Sequence, residues 1–225
     1  MSKDHCIFTE KCPVKGICFK YPEYIYKGEG KGCLFAHIIA VLEKWNEIKG
    51  RYLNTVTRLF RKIVKDINAD TTNQLVTAML ILHDYGKVAK EYSTTKGYYH
   101  EILSASVIRK IINFNMLLTS LISSAVFLHH EHRIYRDLRD SGYWRIRAPV
   151  VNRIIRRHVP QELNVDEYAN DAFITFLRRN IENADFLDFE ALYYKYRKDE
   201  IEKIISDVVN YVTAGGEIGA RNLLI

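Results

Sequence analysis

The stretch "TTNQLVTAMLILHDYG" (residues 71–86) decides the fold. Leu75, Ala78, Met79 and Leu82 recur at helical spacing, threonines after Asp70 read as a cap, and Gly86 reads as a stop. The apolar run ends in His83 and Asp84, two adjacent groups that are costly to bury unless something pairs with them. Lys87 follows one turn later. A helix that delivers an imidazole and a carboxylate together from an apolar face needs partners for both.

The same helical spacing recurs along most of the chain. "CLFAHIIAVLEKWNEI" (33–48), "YLNTVTRLFRKIVKDI" (52–67), "YYHEILSASVIRKIIN" (98–113) and "MLLTSLISSAVFLHHEH" (116–132) each read as a helix. So do "NDAFITFLRRNIENADFLDFEALYYKY" (170–196) and "EIEKIISDVVNYV" (200–212). Strand-like alternation is short, and "GICFKYPEYIYKG" (16–28) reads as a small hairpin or extended arm. The expected architecture is all-α: an irregular Cys-bearing N-terminal arm over 1–32, one helical domain over 33–212, and a glycine-containing tail over 213–225 that frays unless it docks on a partner.

Composition bounds the function. At 225 residues, 48% apolar and 27% charged, the chain has the length and balance of one globular domain. No apolar run approaches a membrane span, and the opening "MSKDHCIFTEKC" lacks the apolar core of a signal peptide. A cytoplasmic protein with no membrane partner is expected. The net charge of +6 is concentrated: residues 133–157 hold eight arginines against Asp137 and Asp140. Such a segment is either a solvated helix face or the footprint of a polyanion.

One look-alike falls away, and the cysteines are a weak signal that leaves disulfides or a structural metal or iron–sulfur site open. "KGEGKG" (27–32) lacks the G-x-x-x-x-G-K-[ST] pattern and the preceding strand of a phosphate loop, so no nucleotide motor is expected. Cys6, Cys12, Cys18 and Cys33 are spaced more widely than the ligands of a zinc knuckle, and free thiols are the default in a reducing compartment.

The histidines are more telling. His5 and His158 look incidental, whereas His37, His83, His100, His129, His130 and His132 lie on or beside apolar helices. One such histidine is ordinarily a satisfied core residue. Several buried imidazoles each need a partner, and a shared metal centre satisfies them together. Asp185, with Ala184 beside it, is the candidate late carboxylate, and Asp188 is its alternative.

The order H…HD…H…HH…D around "HDYGK" resembles the HD phosphohydrolase superfamily, all-helical metal-dependent enzymes that cut phosphomonoesters and phosphodiesters. The resemblance covers roughly 33–195. The added His100 and His129–His130 make it similar to the two-metal branch, in particular the stand-alone CRISPR-associated HD nucleases of archaeal type I interference systems. This resemblance implies an HD-domain helical bundle in which His37, His83, Asp84 and Asp185 hold one ion. His100, His129 and His130 would hold the second, with Asp84 bridging and Lys87 aimed at the substrate phosphate. It also implies DNA as substrate and two partners, a separate helicase subunit and a target-recognition complex.

The imidazole-rich set suits Mn²⁺, Ni²⁺, Co²⁺ or Fe²⁺ better than Mg²⁺. The basic segment begins directly after this cluster. Arg133, Arg136, Arg139, Arg145 and Arg147 are expected to bind phosphates, with Tyr143 and Trp144 as stacking faces, and His132 could assist the leaving group.

Two rivals remain. An HD enzyme of nucleotides or cyclic dinucleotides has a similar ligand series, but the cyclic-dinucleotide type continues with a D-G-x-G-Y-P element absent from "HHEHRIYRDLRDSGYW" (129–144). A degenerate HD scaffold should have lost ligands, and none is missing.

Overall fold

A computed structural model describes residues 34–94, 99–129, 148–165 and 167–213. The Cys-bearing arm, its hairpin, the tail and the first half of the basic segment lie outside the described residues. The all-α expectation holds. Helix α1 (Leu34–Arg61) is followed by α2 (Ala69–Leu82), a 3₁₀ turn (Tyr85–Val88), a short α3 (Glu91–Thr94), α4 (His100–Ile111) and α5 (Met116–Phe127). After the undescribed segment come α6 (Ala148–His158), α7 (Glu167–Asn180), a second 3₁₀ turn (Phe189–Tyr193) and α8 (Lys198–Thr213). Among the described residues the sheet is one antiparallel pair of two-residue strands, β1 (Glu162–Leu163) and β2 (Tyr196–Arg197), with Leu163 opposite Tyr196.

Helix α4 is the buried axis of the bundle. Every residue from His100 to Ile108 is buried, so it is enclosed on all sides by α2, α5, α8 and the two 3₁₀ turns. Helix α1 lies on α2 and buries Leu34, Phe35, Ile38, Leu42 and Trp45 along one stripe. Phe35 packs its ring against Phe173 and Phe176 of α7, at 5.3 and 6.0 Å between centroids. The same Phe173 meets Tyr85 of the first 3₁₀ turn at 5.0 Å. The beginning of α1, the middle of α7 and the turn after α2 are thereby locked at one level of the bundle.

Several helix boundaries depart from the sequence reading. The expected break between 48 and 52 does not occur, because α1 runs 28 residues straight through Gly50. One glycine in a helix costs about 1 kcal/mol, which the packing on either side outweighs. Helix α2 is capped by Asn68, whose side chain accepts from the Thr71 N–H at 2.8 Å, and not by a threonine after Asp70. It ends at Leu82, before Gly86. The long helix expected over 170–196 stops at Asn180. There Asn and Asp side chains bond the local backbone instead: Asn183 Oδ1 accepts from the Asp185 N–H at 3.0 Å and Asp188 Oδ1 from the Glu190 N–H at 3.1 Å.

Gly50 gives a direct test of this helix. A Cβ at that position meets nothing within 4 Å. Gly50→Ala should therefore stabilise the fold by about 0.5–1 kcal/mol, read as an upward shift of the urea midpoint. A lowered midpoint would mean that α1 is not continuous there.

Candidate metal centre

Four element ends converge on Asp84. His37 stands one turn into α1, His83 caps the end of α2, His100 opens α4, and His129 follows the end of α5. Asp84 itself is 1% exposed. Its Oδ1 faces His100 Nε2 at 2.9 Å and His129 Nε2 at 3.4 Å. Its Oδ2 faces His37 Nε2 and His83 Nε2, both at 3.4 Å, and accepts from Lys87 Nζ at 2.5 Å. His37 Nε2 and His83 Nε2 are 3.3 Å apart.

Local backbone chemistry sets this arrangement. Tyr85 is fully buried and its hydroxyl donates to Asn170 Oδ1 of α7 at 2.5 Å, which anchors the turn carrying Asp84. On the other side the turn lies against the first turn of α4. The Gly86 N–H donates to Ser104 Oγ at 2.8 Å, and the Ser104 hydroxyl donates to the His100 carbonyl at 3.0 Å. A Cβ on Gly86 would stand 2.0 Å from that carbonyl oxygen. The glycine is therefore required for close approach between the two backbones, not as a left-handed helix stop. Lys87 reaches Asp84 because residues three apart in a 3₁₀ turn eclipse.

The donor set fits divalent metal. His83 Nδ1 and His129 Nδ1 lie 2.7 and 2.5 Å from the carbonyl oxygens of Leu80 and Val126. A carbonyl only accepts, so each Nδ1 donates its proton there, which leaves Nε2 as the nitrogen turned toward the carboxylate. Burial pushes His37 below its usual value, and burial likewise lowers His100, to about 4, against the opposing pull of Asp84. Burial alone would raise the Asp84 carboxyl, but its contacts with His100, His129 and His83 outweigh that and hold it well below the usual carboxylate range. The result is a charged carboxylate ringed by imidazoles, two of which burial disposes to neutrality. A cation between each histidine pair and its oxygen satisfies both sides. Two triads have that form, His37–His83–Asp84 and Asp84–His100–His129, each with ligand atoms within 4.8 Å of one another.

His37, His83, Asp84, Lys87, His100 and His129 are thus brought together. Asp185 and Asp188 are not. Both are exposed on the segment that pairs with the far end of α4: the Asn113 N–H donates to the Phe186 carbonyl and the Asp188 N–H to the Ile111 carbonyl, each at 2.7 Å. His100 opens that twelve-residue helix. At 1.5 Å per residue the two ends are about 18 Å apart. The expected helical face bearing both aspartates does not exist, because α7 has already ended.

His130, His132, Arg133, Arg136, Arg139, Tyr143, Trp144, Arg145 and Arg147 lie outside the described residues. The rest of the basic segment is on α6, where Arg153, Arg156 and Arg157 are exposed. His158 is not incidental: its ring stacks on Tyr99 with centroids 4.3 Å apart, which sets the end of α6 beside the first turn of α4.

One residue at the centre escaped the sequence reading. Glu101 is fully buried, with Oε2 3.4 Å from His100 Nδ1, behind the ring that faces Asp84. A carboxylate behind a ligand histidine is a common orienting device. Its signal was legible as a lone acid in "YYHEILSASVI" (98–108), an otherwise apolar and small-residue helix.

The pattern of the HD domain matches residues 34–214. The chain belongs to the HD domain family. The resemblance drawn from "HDYGK" and its surrounding histidines is borne out. Curated HD relatives include two archaeal proteins described as CRISPR-associated endonuclease Cas3-HD. The one from Methanocaldococcus jannaschii is 26% identical over 131 residues, 52% of this chain and 53% of that protein. The one from Pyrococcus furiosus is 25% identical over 113 residues, 46% and 48% of the two chains. This HD chain spans about half the length of the curated relatives it matches. A solved structure, the CRISPR-associated Cas3 HD domain protein of M. jannaschii, superposes with a TM-score of 0.47 at 19% identity, over 78% of this chain and 92% of that one.

Gly86 carries the sharpest prediction for this HD site. Gly86→Ala should push the Asp84 turn off α4, costing about 1–3 kcal/mol as overpacking does, and should weaken Mn²⁺ binding measured by equilibrium dialysis. Wild-type stability together with wild-type metal binding would show that the close approach is not needed.

Proposed function

We propose that this HD protein is a two-metal phosphodiesterase that cuts DNA, with single strands as the preferred form, in CRISPR type I interference. The observation that carries the reading is one buried carboxylate, Asp84, with a different histidine pair at each of its two oxygens. That is the donor geometry for two ions sharing a bridge. The names of the two curated relatives support a nuclease, and the arginine-dense 133–157 segment, which follows the His129–His130 pair in the sequence, supports a long polyanionic substrate.

Each residue has a role in this reading. Asp84 offers one oxygen to each ion and offsets part of their charge. His37 and His83 serve one ion and His100 and His129 the other, with His130 as a further ligand of the second. Two divalent ions, when bound, supply charge at the scissile phosphate and an activated water. Lys87 brings an ammonium to the same carboxylate, where it can meet a phosphate oxygen. Tyr85 holds the Asp84 turn to α7 and Gly86 and Ser104 hold it to α4, so the ligand atoms need little rearrangement. The imidazole-rich set favours Mn²⁺, Ni²⁺, Co²⁺ or Fe²⁺ over Mg²⁺. Arg133, Arg136, Arg139, Arg145 and Arg147 bind phosphates, and Tyr143 and Trp144 stack on bases. A separate helicase subunit delivers the strand that the target-recognition complex has exposed, in the cytoplasm. Among the described residues no helix is long and apolar enough to cross a membrane.

The test uses metal-stripped protein and labelled single-stranded DNA, with Mg²⁺, Mn²⁺, Ni²⁺ and Co²⁺ added in turn. Cleavage should appear with the transition metals, be weak with Mg²⁺, and fall to background in His83→Ala and Asp84→Ala. Folded, metal-loaded protein that leaves DNA intact but hydrolyses nucleotides or cyclic dinucleotides would replace this reading.

A further inference from the structure

The two oxygens of Asp84 do not keep the same company. Oδ1 meets two imidazoles, His100 and His129, whereas Oδ2 meets two imidazoles and, closest of all, the Lys87 ammonium at 2.5 Å. Burial separates one member of each pair: the His100 side chain is 3% exposed and that of His37 35%, whereas His129 (20%) and His83 (15%) are similarly shielded. Lys87 is itself buried, 7% exposed, so its charge is poorly screened by water.

From these contacts we infer that the two ion positions fill in order, and that Lys87 is the residue that sets the order. An ion at the inner position, between Oδ1, His100 and His129, finds ligands turned inward and, among the described residues, no ammonium or guanidinium on its oxygen. An ion at the outer position, between Oδ2, His37 and His83, must share or displace an ammonium already bound to that oxygen. Like charges at such separation in a poorly solvated site oppose each other strongly. The inner ion is therefore held tightly and exchanges slowly. The outer ion binds weakly and exchanges readily through the solvent-facing His37 side. This inference rests on the two-ion reading proposed above and adds a hierarchy to it.

Lys87 then links metal occupancy to substrate. When the ammonium gives up Oδ2, a phosphate oxygen arriving at the outer position can take its place. Outer-ion binding and phosphate binding should therefore favour each other, by the reciprocity that governs any two coupled ligands. The outer position fills best in the presence of substrate, so the resting protein carries one ion.

The experiment is calorimetric titration of metal-stripped protein with Mn²⁺, with ions per chain counted after dialysis. Wild type should bind two Mn²⁺ in phases at least tenfold apart, and one ion should survive dialysis. His37→Ala should lose the weak phase and keep the tight one, and His100→Ala the reverse. Lys87→Met, which keeps the stem and removes the charge, should tighten the weak phase about tenfold and leave the tight phase unchanged. Adding a non-cleavable phosphorothioate oligonucleotide should tighten the weak phase in wild type but not in Lys87→Met. Lys87→Gln serves as the second neutral variant if circular dichroism shows that Lys87→Met misfolds. Two phases of equal affinity, or a weak phase unchanged or weakened in the neutral variants, would overturn the hierarchy while leaving a two-ion enzyme standing. Wild type that binds no more than one ion at saturating Mn²⁺, even with the oligonucleotide present, would overturn the two-ion reading together with it.

Discussion

A single buried carboxylate is the constraint around which this HD fold is arranged. Asp84 is held charged at 1% exposure, a state that is expensive unless each lone pair finds a positive or polarised partner. The chain supplies four imidazole nitrogens from four separate element ends and one ammonium from the 3₁₀ turn that follows Asp84. No one helix could do this. The bundle topology, with α1 and α4 beginning where α2 and α5 end, brings those ends to one level.

The supporting structure is as specific as the ligands. Tyr85 ties the Asp84 turn to α7, and Gly86 lets its backbone lie against that of His100. Backbone carbonyls of Leu80 and Val126 turn the rings of His83 and His129. Glu101 stands buried behind His100. Each of these contacts fixes a ring or a carboxylate before any ion arrives. Metal binding in such a site adds to folding stability, because the unfolded chain offers no comparable donor set.

Much of this was readable from residue order, and the failures have physical causes. The helices announced themselves by apolar spacing, and the histidines stood out because each interrupted an apolar run. His37, His83, Asp84 and His100 could be chosen for that reason, although spacing alone says nothing about which oxygen each ring meets. Gly86 was read as a helix stop because glycine has two uses, and only the fold reveals the His100 carbonyl 2.0 Å from its missing Cβ. Asp185 was misplaced because the apolar pattern of 170–196 continues beyond the helix. Asn180 and Asn183 divert the chain through side-chain-to-backbone bonds that periodicity does not register. Glu101 was overlooked because one acid beside a histidine looks like an ordinary helix residue until α4 is seen to be buried on every side.

The central claim is that Asp84 bridges two ions, each held by its own histidine pair. Anomalous diffraction from crystals soaked in Mn²⁺ and a phosphorothioate oligonucleotide tests it most directly. The account predicts two peaks flanking the Asp84 carboxylate, one against His100 and His129 and one against His37 and His83. A single peak shared by all four histidines, or density that draws in Asp185, would contradict it.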